Sequence, residues 1–259
     1  MDLSGKNILI TGGTSVLGEA MVRRAMMSGA RVFFTWRRDE TKASELEKLG
    51  ARNLKLDLTS SESIRQAAAK ISAAIRTLHG LVHNAALTRD AMVENLSEED
   101  WDKVIDANAK APFLLTRELM PVLEKANPGR VIALTSRAAA AGVFGAANYA
   151  ASKAAMEAWV KTLAREADGK VLVNAVNPGF MISSMTNKVP EKAREVQRNL
   201  SAIKKFSDPD AVAKAILFLL SDENTQITGQ VINLESRMPV TIALFDKARS
   251  AQNNEDDKE

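Results

Sequence analysis

Short apolar runs alternate with longer amphipathic stretches along most of this chain, and the alternation predicts its elements before any single residue is considered. Residues 6–11 (KNILIT), 30–35 (ARVFFT), 78–84 (LHGLVHN), 130–135 (RVIALT) and 171–176 (VLVNAV) are compact blocks suited to strands buried on both faces. Residues 54–59 and 229–234 supply a third and a seventh strand. Between these blocks, helical segments are expected at 19–27, 40–49, 61–76, from 97 onward, from about 148, and at 208–220. Strand and helix in strict succession predict an α/β fold: a single-domain, Rossmann-type doubly wound parallel sheet of about seven strands with helices on both faces. The domain is expected over 1–238. A carboxyl-terminal extension follows at 239–259, polar and charged from residue 252 and expected to be disordered there.

Composition narrows the picture without redirecting it. An apolar fraction of 46% in 259 residues supplies a large core, and the absence of cysteine excludes disulfides and thiolate metal sites. Thirty-five basic residues stand against 32 acidic ones and are dispersed, which gives little support for nucleic-acid binding. The start, MDLSGKNILITGG, does not read as a leader, and no apolar run approaches membrane-spanning length. A soluble cytoplasmic protein is the expectation.

Candidate chemistry collects at strand ends. Gly12-Gly13-Thr14-Ser15-Val16-Leu17-Gly18 joins the first strand to its helix, the order in which a dinucleotide fold presents a helix amino terminus to a pyrophosphate. An ordinary glycine-rich connection has the same look. The second strand ends in Trp36-Arg37-Arg38 with no carboxylate, which favours the 2′-phosphate of NADP over the free ribose of NAD, unless both arginines are merely solvated. Asp57 lies at the mouth of the same crevice.

Further on, the apolar run 131–135 delivers Ser136 at its carboxyl end. Thirteen residues later a helix carries Tyr149, the chain's single tyrosine, and Lys153 one turn apart on one face. A nearby ammonium favours phenolate, so Lys153 is expected to bring the Tyr149 pKa down from about 10. Ser136 is placed to hold a carbonyl oxygen on which charge develops. Asn108 sits mid-helix, four residues before Pro112, whose ring frees the Asn108 carbonyl from its ladder bond and invites a functional role. His79 and His83, about 13 Å apart if both lie in a strand, read as structural histidines rather than a metal pair, and no metal site is expected. Residues 180–206 have weak periodicity and follow a strand end, where a substrate lid is expected.

Taken in order, these motifs resemble the short-chain dehydrogenase/reductase family over nearly all of residues 4–235. Thr11-Gly12 with Gly18 stands at the phosphate loop, Asp57 at an adenine contact, Asn84-Ala85 in the family's NNAG segment, and Pro178-Gly179 with Ser183 beside the nicotinamide amide. Asn108, Ser136, Tyr149 and Lys153 match the catalytic tetrad. LTRDAM, ANYAASKA, LARE, NPGFMISSMT and ITGQVIN make the chain most similar to 3-oxoacyl-(acyl-carrier-protein) reductases. The resemblance implies NADP(H) contacts at Gly12, Thr14, Ser15, Leu17, Gly18, Arg37, Arg38, Asp57, Leu58, Asn84, Ala85, Tyr149, Lys153, Pro178, Gly179, Met181 and Ser183. It further implies a homotetramer reducing a β-keto thioester, with Arg130 and Lys170 as docking candidates for an acidic carrier protein, or else as plain surface charges.

Several positions depart from that pattern. Val16 replaces the middle glycine of the phosphate loop, His83 the first asparagine of NNAG and Ala86 its glycine. Arg137 follows the serine directly, and Leu234-Glu235-Ser236-Arg237 stands where an aspartate and paired glycines are usual. The departures suggest a specialised ketoreductase, of polyketide or secondary metabolism. A reductase of free ketones or alcohols, or a cofactor-binding partner that no longer catalyses, are the alternatives.

Overall fold

The computed structural model describes residues 1–187 and 189–236. Seven strands are resolved among them: β1 (Asn7–Ile10), β2 (Arg31–Trp36), β3 (Arg52–Lys55), β4 (Gly80–His83), β5 (Gly129–Leu134), β6 (Val171–Asn177) and β7 (Val231–Asn233). The helices are α1 (Val16–Met27), α2 (Glu40–Lys48), α3 (Ser61–Ala74), α4 (Glu98–Ile105), α5 (Ala111–Leu123), α6 (Ala138–Ala141), α7 (Ala147–Glu166), α8 (Glu191–Asn199) and α9 (Pro209–Leu220). The strands form one parallel sheet in the order β3-β2-β1-β4-β5-β6-β7. The order reverses between β1 and β4, and a doubly wound sheet binds its ligands at such a switch point.

Alternation along the strands builds a core on each face. Ile8 and Ile10 of β1, with Val32 and Phe34 of β2, face α1, α2 and α9. Leu9, Phe33, Leu81 and Val131 face α3, α5 and α7. Successive side chains point to opposite sides of the sheet, so a strand covered on both faces reads as the unbroken apolar run seen in the sequence.

Four sequence expectations need correction. β3 ends at Lys55, so Asp57 lies in the turn after the strand, where its Oδ1 accepts from the backbone N–H of Thr59 at 3.0 Å. The long helix expected from residue 97 is two helices joined by a turn of π-helix, Asp106–Lys110. Proline at 112 has no N–H for the Asn108 carbonyl, and the wider turn takes up the mismatch. The small-residue stretch after Ser136 holds the short helix α6, and the weakly periodic 180–206 segment holds α8, none of whose side chains is fully buried. The expected end of the domain at 238 and the extension at 239–259 lie outside the described residues.

Candidate active site

A cleft of about 460 Å³ opens at the carboxyl ends of the central strands. Thr14, Ser15 and Leu17 line it from the turn after β1, Arg37 and Arg38 from β2, Leu58 from the β3 side, and Asn84 and Ala85 from β4. Pro178, Met181 and Ser183 follow from β6, and Tyr149 and Lys153 from α7. The remaining expected contacts support this wall. Asp57 ion-pairs with Arg37 at 3.9 Å, and the hydrogen bonds of Thr59 hold its carboxyl below the ordinary range. Gly179 takes φ +77°, and a side chain there would meet Ser207 at 2.3 Å.

The turn after β1 is shaped for close approach. A Cβ on Gly18 would stand 2.1 Å from the Gly12 carbonyl oxygen, so only glycine lets α1 settle on the strand end. Ser15 caps α1, accepting from the Gly18 N–H at 3.1 Å. Asn84 fixes the turn from the neighbouring strand, its amide donating to the Thr11 and Gly12 carbonyls at 2.9 and 3.1 Å. Val16 occupies the first helical position, 38% exposed at the cleft edge, so helix and turn form normally around it. A helix amino terminus at one end of the cleft and two arginines flanking it fit a phosphate-bearing dinucleotide.

Two hydroxyls anchor this turn, Thr11, read from the sequence as part of the phosphate loop, and Thr35, which was not singled out. The Thr35 hydroxyl accepts from the Gly12 N–H at 3.2 Å, and the Thr11 hydroxyl accepts from the N–H groups of Asn84 and Ala85 at 3.0 and 3.1 Å. A hydroxyl at the end of each strand, within otherwise apolar runs, was the available signal. Trp36 also lines the cleft, held by a 2.8 Å bond from its indole N–H to Asn53.

The four tetrad positions come together from β5, α7 and the π-turn. Ser136 lies close enough to the Tyr149 phenol to draw its pKa down, and its hydroxyl accepts from the Ala138 N–H at 3.2 Å. Lys153 is buried, with its ammonium 5.7 Å from the Tyr149 ring centre and donating to the Leu134 carbonyl at 2.6 Å. Burial brings its pKa down to about 8. The lowering expected for Tyr149 is not what the protein does: burial pushes the phenol up, the neighbouring Ser136 hydroxyl opposes this, and the charge of Asp90 adds to it. Desolvation outweighs an ammonium that is itself desolvated and turned to a carbonyl.

Asn108, 1% exposed, uses its side chain as a double clamp. Its Oδ1 accepts from the Leu87 N–H at 2.7 Å, and its amide donates to the Leu87 carbonyl at 2.9 Å and to the Ser152 hydroxyl at 3.1 Å. The clamp positions residues 84–87 on one wall of the cleft. His83 is buried beneath, 2.7 Å from the Thr116 hydroxyl, and burial and then the charge of Lys153 bring its pKa to about 3. His79 accepts from the Asn7 N–H at 3.0 Å. Both histidines have structural partners.

The docking candidates separate. Arg130 is not a surface charge: it lies at the amino end of β5, 3% exposed, paired with Asp222 at 3.2 Å and donating to the Pro128 carbonyl. Lys6 shares the same carboxylate at 2.8 Å. Lys170 is exposed.

Fold and cleft define a nucleotide-dependent oxidoreductase scaffold, and similarity agrees. A family model described as enoyl-(acyl carrier protein) reductase matches residues 12–236, and the chain belongs to this short-chain dehydrogenase/reductase family. It is 37% identical over 246 residues to the 3-oxoacyl-[acyl-carrier-protein] reductase FabG of Thermotoga maritima, covering 93% of this chain and all of that one. It is 35% identical to nodulation protein G of Rhizobium sp. strain N33, covering 90% and 96% of the two chains. Among solved structures, the Pseudomonas aeruginosa RhlG/NADP active-site complex superposes with a TM-score of 0.84 at 28% identity, covering 91% and 96%. A Burkholderia cenocepacia short-chain dehydrogenase in complex with NADP gives 0.83 at 27%, covering 92% and 99%. No helix among the described residues is long and apolar enough to cross a membrane.

Proposed function

We propose that this protein is an NADPH-dependent ketoreductase that reduces the β-keto group of an acyl thioester, carried by an acyl carrier protein, and that it works as a homotetramer in the cytoplasm. The observation that carries the reading is Tyr149 beside Ser136 and buried Lys153, whose ammonium lies 5.7 Å from the phenol ring centre, at the wall of a cleft fitted to a dinucleotide. NADPH, when bound, supplies the hydride. Ser136 and Tyr149 hold the substrate carbonyl oxygen between two hydroxyls. Tyr149 then gives its phenolic proton to that oxygen as charge develops there. A phenol held protonated by burial suits the role of donor.

Lys153, with a pKa near 8, is poised to exchange the proton that Tyr149 must regain and to hold the nicotinamide ribose. Asn108 keeps its side chain on Leu87, leaving its backbone carbonyl to position a water between Lys153 and solvent. Arg37 and Arg38 select the 2′-phosphate. Lys170, exposed, is the docking cation that remains.

A second reading, reduction of free ketones, is favoured by one observation, the capture of Arg130 by Asp222. NADPH oxidation is measured with β-ketoacyl groups on carrier protein and as free thioesters, for the parent and for Tyr149→Phe. The proposal expects turnover that the substitution abolishes while NADPH binding, followed by fluorescence, persists. Turnover in the Tyr149→Phe protein would refute the assignment, and equal efficiency on free substrates would favour the second reading.

A further inference from the structure

The cleft wall at Pro178 is held from behind by the residues that follow β7. β6 ends at Asn177, and Pro178-Gly179 then turns the chain past the cleft, which Pro178 lines. Asn177 is buried, and every polar atom of its side chain is engaged at this turn. Its Oδ1 accepts from the Gly179 N–H at 3.2 Å, while its amide donates to Asn233 Oδ1 at 2.9 Å and to Glu235 Oε1 at 3.2 Å. Its backbone carbonyl accepts from the Leu234 N–H at 2.9 Å.

The sense of this network depends on Glu235. Gly179 offers a donor, so Asn177 must turn its amide oxygen toward the turn and its NH2 away from it. Asn233 presents a donor or an acceptor according to its own rotation, whereas the carboxylate of Glu235 can only accept and so admits one orientation. The same residue backs the turn sterically. A side chain on Gly179 would meet the Glu235 Cβ at 2.8 Å, with Ser207 on its other side. Glu235 lines a separate groove behind the turn and reaches the cleft through Asn177. Next to it, Ser236 accepts from the Ala202 N–H at 2.9 Å, so the exit of the chain grips the 179–202 segment near both ends.

We propose that Glu235 is a positioning residue for hydride transfer, acting through Asn177 to fix the Pro178-Gly179 turn against which the nicotinamide is held. The inference rests on the reading of the cleft as that of an NADPH-dependent ketoreductase. A loosened turn leaves the adenosine end of the cofactor bound by its own contacts. What it loses is the alignment of the reacting carbon with the substrate carbonyl, where an error of about 1 Å lowers the rate by up to about a hundredfold.

Single-turnover oxidation of bound NADPH by excess β-ketoacyl thioester is followed for the full-length parent, Glu235→Met, Glu235→Ala and Glu235→Gln. Loss of folded protein lowers the amplitude, and loss of alignment lowers the rate. Glu235→Met is expected to slow the rate about tenfold at full amplitude, with the NADPH dissociation constant, read by fluorescence, changed less than about threefold. Glu235→Ala adds no bulk, is expected to do the same, and decides the point if the methionine variant does not fold. Glu235→Gln keeps an acceptor in place and is expected to recover about half of the parent rate or more. The parent rate in the alanine or methionine variant would overturn the proposal, as would a loss of amplitude alone or an equal slowing in Glu235→Gln. A parent that oxidises no NADPH would overturn the reading of the function, and this inference with it.

Discussion

Lys153 donates to the carbonyl oxygen of Leu134 across 2.6 Å, tying the first half of α7 to the last residue of β5. The bond holds the ammonium in a buried position that disfavours its charge, so its pKa falls from 10.5 to about 8. A lysine with a lowered folded pKa penalises the fold below that value, and the penalty lifts as pH rises toward the unfolded value. The parent is therefore expected to gain about 2 kcal/mol between pH 8 and pH 10 relative to Lys153→Met. Urea unfolding at the two pH values measures the difference, and turnover of the variant is expected to be lost at both.

His83 titrates in the opposite part of the range. With its pKa brought from 6.5 to about 3, the folded protein refuses a proton that the unfolded chain accepts, so stability falls as pH drops through 6.5. His83→Asn removes this group. Between pH 7 and pH 5 the parent is expected to lose about 2 kcal/mol more than the variant, as read by urea unfolding.

Gly18→Ala places a methyl group 2.1 Å from the Gly12 carbonyl oxygen, where the partner is backbone and cannot swing aside. The expected cost is about 1–3 kcal/mol of stability. NADPH affinity should fall with it, because the displaced turn is the one that Asn84 and Thr35 hold in place. Thermal unfolding and a fluorescence titration report the two effects.

Arg37→Ala is expected to weaken NADPH binding roughly tenfold to a hundredfold, the worth of a charge-assisted hydrogen bond, and to leave NADH binding little changed. Arg38→Ala should act in the same direction. The ratio of kcat/KM for the two cofactors decides the point, and an equal loss for both would remove the arginines from 2′-phosphate recognition.

Much of the fold was legible because buried parallel strands announce themselves as apolar runs: NILI, VFF and VIAL each lie in a strand close to where the sequence places them. Gly12 and Gly18 were readable as well, since their role follows from lacking a side chain. Helix α8 was not, because it is short and its residues are so polar that none is fully buried. The fate of Arg130 was hidden for another reason. Its burial depends on Asp222, a partner far along the chain, and a lone arginine in sequence looks like surface. Likewise the Tyr149–Lys153 spacing placed both groups on one helix face, but the direction of the phenol's pKa is set by the bulk packed around it.

The π-turn at Asp106–Lys110 acts as a phase adjuster between α4 and α5. A wider turn of this kind accommodates one residue more than a regular helix would, and each helical residue advances the face by about 100°. Deleting a single residue there would close the turn to regular width with the faces of α4 and α5 still in register, so the change would fall on the turn itself. Leu115 and Leu119 would stay in the interior, while the amide of Asn108 would lose its grip on Leu87. By taking up a surplus residue in one wide turn, the chain gives Asn108 its place without disturbing the core on this side of the sheet.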